Sequence, residues 1–199
     1  MSRARDLSDY VSTGVSAAEF DQLDTTSGTP GSGNFLRGDK TWASADVKHA
    51  DMWYMTAAVT TAADLTAWSS VTTDKSDSDR IGTAITESSG VFTFPETGIY
   101  WIILTINIAG LTDDIIGTKI QTSVDNGSTW VGATYVTGSA YNSSENSMVH
   151  NYLFDVASIT GGTTRQCKFS ATSVDVGSSI IGHASTPKTT AMFVRLGDT

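Results

Sequence analysis

From about Ala50 onward, apolar and polar residues alternate with a period of two, the spacing of β-strands that show one face to a core. The longest run is Gly98 to Gly110, "GIYWIILTINIAG". In it Tyr100, Ile102, Leu104, Ile106 and Ile108 share one face, while Trp101, Ile103, Thr105 and Asn107 share the other. One face is apolar throughout and the second only at its start, which predicts a long strand with one face in a core. "MWYMTAAVTT", "GVFTFPETG", "NSMVHNYLFDVAS", "TRQCKFSATSV", "SSIIGHAS" and "TTAMFVRLGD" are further strand-like runs, bounded by Gly, Ser, Asn or Pro. Asn126-Gly127 separates two alternating runs and signals a hairpin. About eight to ten such strands, with no helix to carry a parallel sheet, predict an all-β sandwich or barrel over residues 47–199.

Residues 1–46 read differently. They are polar, glycine-rich and sparse in apolar side chains, so they cannot bury enough surface to fold alone. Ser16 and Glu19 form a capping box, and Val15 and Phe20 fall at the positions of a hydrophobic staple. These predict a short helix over about 17–24, preceded by a turn in which Leu7, Tyr10 and Val11 share helical spacing. Helices this short are marginal in isolation and are expected to form when docked on another protein. Leu7, Tyr10, Val11, Val15, Phe20 and Leu23 are the candidate docking side chains; a disordered leader is the alternative.

Composition narrows the function. The net charge is −9, and only 17% of the 199 residues are charged. An acidic surface repels phosphate, so nucleic acid and bare anionic membrane are not expected partners. No apolar run is long enough to insert in a bilayer, and "MSRARDLSDY" has no signal-peptide stretch. Cys167, the single cysteine, is expected as a half-buried apolar residue rather than a ligand or a disulfide partner. His49, His150 and His183 lie in separate segments, and no catalytic motif is present, so no catalytic residue and no cofactor are expected. "DKSDSDR", Asp74 to Arg80, is read as a solvated loop, with a calcium site as the alternative; Asp113-Asp114 is read as a solvated turn. "GSAYNSSEN" is a polar loop whose Tyr141 and Asn142 are candidates for contact with a glycan or protein on a host surface.

Phe92, then five residues, then Gly98, then Tyr100 with apolar Ile102 and Leu104, resembles part of a known pattern. It is the F-x5-G-x-Y-x-F-x-[FY] of the jelly roll shared by complement component one q heads and tumour necrosis factor ligands. Ile102 and Leu104 stand where that family has aromatics, and "AMFVRLGD" resembles its last strand. The resemblance covers roughly residues 50–199 and implies a jelly roll of about ten antiparallel strands, assembled as a homotrimer. On that reading the second face of the Gly98 strand meets a neighbouring subunit, with Trp53, Trp101 and Phe193 as candidate contacts; monomer core is the alternative for each.

"TSGTPGSGNFLRGDKTWA" is similar to a joint, "TPSSSNFLRGDGTW", in tail-fibre and other virion proteins of tailed phages. In such proteins the segment lies between an attachment leader and a terminal head. The resemblance implies that Phe35, Leu36 and Trp42 pack chains together, and that Arg37-Gly38-Asp39 belongs to a connector rather than to a cell-adhesion signal. The expected function is therefore a non-enzymatic virion protein whose leader docks on other virion proteins. It is expected as a trimeric tail-fibre head. The alternative is a capsid decoration protein or head fibre, which the short chain favours.

Overall fold

A computed structural model describes residues 34–36, 42–44, 47–74, 78–110, 114–141 and 144–199. The chain divides into two units, Met1–Asp46 and Val47–Thr199. In the first, strands β1 (Asn34–Leu36) and β2 (Trp42–Ser44) pair antiparallel, with Leu36 opposite Trp42 and Phe35 opposite Ala43. The joint segment is thus a paired ribbon at these positions. The Arg-Gly-Asp triplet, the helix expected over 17–24 and the leader side chains from Leu7 to Leu23 lie outside the described residues.

The second unit is a sandwich of two antiparallel sheets. Its strands are β3 (His49–Met55), β4 (Trp68–Ser70), β5 (Thr86–Ser88), β6 (Val91–Thr93), β7 (Gly98–Ala109) and β8 (Asp114–Ser123). They continue with β9 (Val131–Ala140), β10 (Glu145–Val156), β11 (Gln166–Ser173), β12 (Ser179–Ile180) and β13 (Thr190–Gly197). A six-stranded sheet runs β10-β7-β13-β3-β4, with β12 joining β7 at its end, and a five-stranded sheet runs β5-β6-β11-β8-β9. One helical turn, α1 (Val71–Asp74), follows β4; the alternating pattern does not foretell it. Asp114, expected in a solvated turn, opens β8 opposite Ala140.

The period-two reading of β7 holds in detail. Tyr100, Ile102, Leu104, Ile106 and Ile108 are all fully buried, whereas Trp101, Ile103, Thr105 and Asn107 face the other way. The facing sheet contributes Phe92, Phe169, Ile116 and Ile120, and aromatic rings fill the middle. Phe92 lies 5.3 Å from Phe169 and 5.1 Å from Phe193, offset and tilted as aromatic quadrupoles prefer. Cys167 is buried more completely than expected, and burial pushes its thiol pKa up, so it behaves as a small apolar core residue.

The Phe92–Gly98–Tyr100 pattern has a physical reason. Gly98 sits at φ +146°, and a Cβ there would lie 2.5 Å from both Arg195 Nε and the Gly197 carbonyl oxygen. Only glycine lets the Arg195 side chain cross the start of β7, where its Nε donates to the Thr97 carbonyl at 2.8 Å. Tyr100 is buried, with its hydroxyl donating to the Glu96 carbonyl at 3.2 Å.

Two hairpins shape the five-stranded sheet. Ser89 and Gly90, both at positive φ, turn β5 into β6. Asn126 (φ 55°) and Gly127 (φ 79°) lie in the β8–β9 connection, as their dipeptide predicts. That connection spans residues 124–130, longer than a two-residue turn. Asp125 organises it. Its carboxylate accepts from the Thr129 hydroxyl at 2.6 Å, the Thr129 backbone N–H at 2.9 Å and the Ser123 hydroxyl at 2.8 Å. These hydrogen bonds, those from Thr129 first, hold its pKa down to about 2.

His150 ties the two sheets together. From β10 it reaches the Thr118 hydroxyl of β8 with Nε2 (2.8 Å) and the Thr134 hydroxyl of β9 with Nδ1 (2.7 Å). Burial lowers its pKa to about 4, so the imidazole is neutral near pH 7.

Candidate functional site: the two outer sheet faces

Each sheet spends one face on the core, which leaves the outer faces and the loops for binding. The outer face of the six-stranded sheet is apolar. Strand register places Leu153, Trp101, Val194 and Ala50 in one row across β10, β7, β13 and β3. Ile81 extends the row by pairing with Ala50 through backbone hydrogen bonds of 3.0 and 2.9 Å. The next row is Asn151, Ile103, Met192 and Met52, and the third begins Val149, Thr105, Thr190. Leu153 is 60% exposed, Ile81 50% and Val149 49%. Trp101 is 39% exposed, and its Nε1 donates to Asn151 Oδ1 at 3.2 Å, which fixes the ring on the surface. Contiguous exposed apolar surface is a common mark of contact sites.

Of the three aromatics expected at a subunit contact, only Trp101 lies on this face. Phe193 is fully buried in the aromatic core, and Trp53 turns inward to pack edge-on against Phe92 at 5.6 Å. Both serve the interior of a single chain. Residues Met52, Ile103, Val149, Leu153, Met192 and Val194 occupy the outer face instead. They were legible as alternate positions of strands, but sequence alone does not show which strands are neighbours.

The outer face of the five-stranded sheet is polar. Thr86, Thr93 and Gln166 form one row, and Ser88, Val91, Lys168 and Gln121 the next. Ser170, Lys119 and Tyr135 form a third row. Lys168 pairs with Asp64 at 2.8 Å, and its ammonium lies 4.7 Å from the centroid of the Trp130 ring. Asp64 also accepts from Ser170 at 2.7 Å; these partners offset its burial and lower its pKa.

The loop after β9 carries Tyr141, which is exposed; its backbone N–H donates to Ser144 Oγ at 3.2 Å. Asn142 lies outside the described residues, as do residues 75–77 of the acidic loop considered for calcium. Among the described residues, no three His, Cys, Asp or Glu side chains are placed to hold a metal ion. His49 and His150 are buried, and exposed His183 accepts the Ser185 and Thr186 N–H groups at 3.2 and 3.1 Å.

No protein-family profile matches this sequence, and no curated protein matches it. Solved structures do share its architecture. Murine APRIL, in a crystal structure at pH 5.0, is similar with a TM-score of 0.51 and 16% identity, over 75% of this chain and 100% of that one. Eiger TNF from S. frugiperda is similar with a TM-score of 0.57 and 15% identity, over 77% of this chain and 96% of that one. The likeness is one of fold: residues 47–199 form a jelly-roll β-sandwich of the tumour necrosis factor type.

Proposed function

We propose that this chain is a non-enzymatic structural protein of a tailed-phage virion, a homotrimeric tail-fibre head that binds the host surface. The observation that carries the reading is the apolar outer face of the six-stranded sheet. Its rows of Leu153–Trp101–Val194 and Ile103–Met192–Met52 suit burial against further copies of the same chain. The tumour necrosis factor-type fold supports this, because the family it resembles assembles through its jelly rolls. The joint "SGNFLRGDKTW" supports the virion setting, because its likeness is to phage fibre proteins. Three copies on one body give avidity to weak individual contacts. In this arrangement the leader docks on other virion proteins and the head faces the host.

Locating the protein on purified particles by immunogold labelling, with copy number by quantitative mass spectrometry, tests the assignment. A few trimers on the tail agree with it. Hundreds of copies on the capsid shell contradict it in favour of a decoration protein, and absence from the particle contradicts both.

A further inference from the structure

We infer that the depression walled by Trp130, on the outer face of the five-stranded sheet, is a carbohydrate site, and that an extended surface polysaccharide lies across this face. The inference rests on the host-binding reading above and names the ligand class.

The depression has a volume of about 360 Å³, within the size range of small-ligand sites. Its floor is the outer row of β5 and β6, Thr86, Ser88 and Thr93, and its wall is the β8–β9 connection with Asn126 and Trp130. A sugar ring asks for two things: a flat apolar surface for its C–H face, and donors and acceptors for its hydroxyls. Trp130 supplies the first. Lys168 holds its ring by a cation–π contact, and the indole Nε1 donates to no described protein group. The second comes from hydroxyls of Thr86 and Ser88 and the Asn126 amide, none of which has a described side-chain partner. The Gln166 Nε2 is already spent on Thr93 Oγ1 at 3.0 Å, which presents Gln166 Oε1 as a fixed acceptor.

The wall is preorganised. Besides the Asp125 network, Asn126 N donates to the Thr164 carbonyl at 3.0 Å and Gly127 N to Ser123 Oγ at 2.9 Å. Arg165 Nη1 donates to the Val124 carbonyl at 2.5 Å. A wall already ordered spends little entropy on binding.

The depression does not stand alone. Lys168, stacked on Trp130, lines a second hollow of about 450 Å³ with Asp64 and Lys119. Lys119 in turn lines a third, of about 250 Å³, with the exposed Tyr135. Hollows in series, with an aromatic at either end, fit a chain of sugars better than a compact metabolite. A nucleic acid is disfavoured by the net charge of −9, and a protein partner would favour the apolar face opposite.

The test is a microarray of bacterial capsular and O-antigen glycans, probed with the full-length protein and with two variants. Trp130→Ala removes the stacking surface, and Thr86→Arg fills the floor from an exposed position without touching the core. Native mass and melting temperature check that both variants stay folded and assembled. The inference predicts binding to a subset of glycans, weakened at least about tenfold in both variants. An array on which the parent protein binds no glycan, or on which both variants bind as the parent does, overturns it. The host-binding reading is scored separately: unchanged attachment to host cells after periodate oxidation of their surface sugars overturns the carbohydrate site and leaves that reading standing.

Discussion

The two outer faces of the sandwich are built by the same alternation and come out opposite in character. On the six-stranded sheet, the positions facing away from the core include Trp101, Ile103, Met192, Val194, Val149 and Leu153, with polar Asn151, Thr105 and Thr190 among them. On the five-stranded sheet, the equivalent positions are mostly polar, Gln166, Lys168, Ser170, Lys119 and Gln121, with Tyr135 and Ile115 exposed among them. The inner faces do not differ in this way; both are apolar and aromatic. A sheet needs only one apolar face to fold, so apolar residues on the second face must answer to something besides the fold of one chain. On the reading proposed above, the apolar face takes further copies of the chain, and the polar, hollowed face is the one left for a hydrated ligand.

The comparison can be broken in several places. The largest effect is expected inside. Phe193→Ala should destabilise the sandwich by about 3–5 kcal/mol in chemical denaturation, because it empties a core site shared by both sheets. Trp101→Ala, measured at concentrations where chains are dissociated, should cost no more than roughly 0.5 kcal/mol. Equal costs would mean that Trp101 serves the single chain rather than an interface.

Next comes association. Leu153→Asp puts a charge into the apolar rows and should weaken self-association by on the order of 3 kcal/mol in sedimentation experiments. Tyr135→Asp, on the opposite face, should leave association unchanged. The same loss in both variants would erase the distinction between the faces.

Acid should loosen the tie between the sheets. The unfolded chain binds a proton at His150 near pH 6.5, but the folded chain does so only near pH 4. Stability is therefore full above about 6.5 and falls as pH drops toward 4, by on the order of 2 kcal/mol. His49, whose pKa burial also lowers, adds in the same direction. His150→Gln should flatten the slope of denaturation midpoint against pH over that window; an unchanged slope would remove His150 as its cause.

A further effect is local. Gly98→Ala forces a Cβ against Arg195 and the Gly197 carbonyl, and should cost roughly 1–2 kcal/mol in thermal melts. A neutral substitution would show that the start of β7 relaxes freely.

Much of the fold was legible because a strand's side chains have a strict period. The two faces of β7 follow from spacing alone, and Asn126-Gly127 announces its hairpin through the positive φ both residues adopt. The length of that connection was not legible, because it depends on Asp125 gathering hydrogen bonds from Ser123 and Thr129. Ser89 adopts positive φ without the usual Asn or Asp, so the β5–β6 turn was hidden. The surfaces were less legible still. Trp101 could be placed on the outer side of its strand, but Trp53 and Phe193 read the same way and point inward. Trp130 passed as an ordinary residue after a turn; only strand order brings it beside Lys168, Thr86 and Gln166. A tryptophan closing a turn, three residues after Gly127, was the one available signal.

The central claim is that the apolar face of the six-stranded sheet is buried between copies of this chain. Sedimentation equilibrium of the full-length protein at micromolar concentration tests it most directly. The account predicts a single species at three times the 21.0 kDa chain mass. A species at the mass of one chain, with the apolar rows still facing solvent, would contradict it.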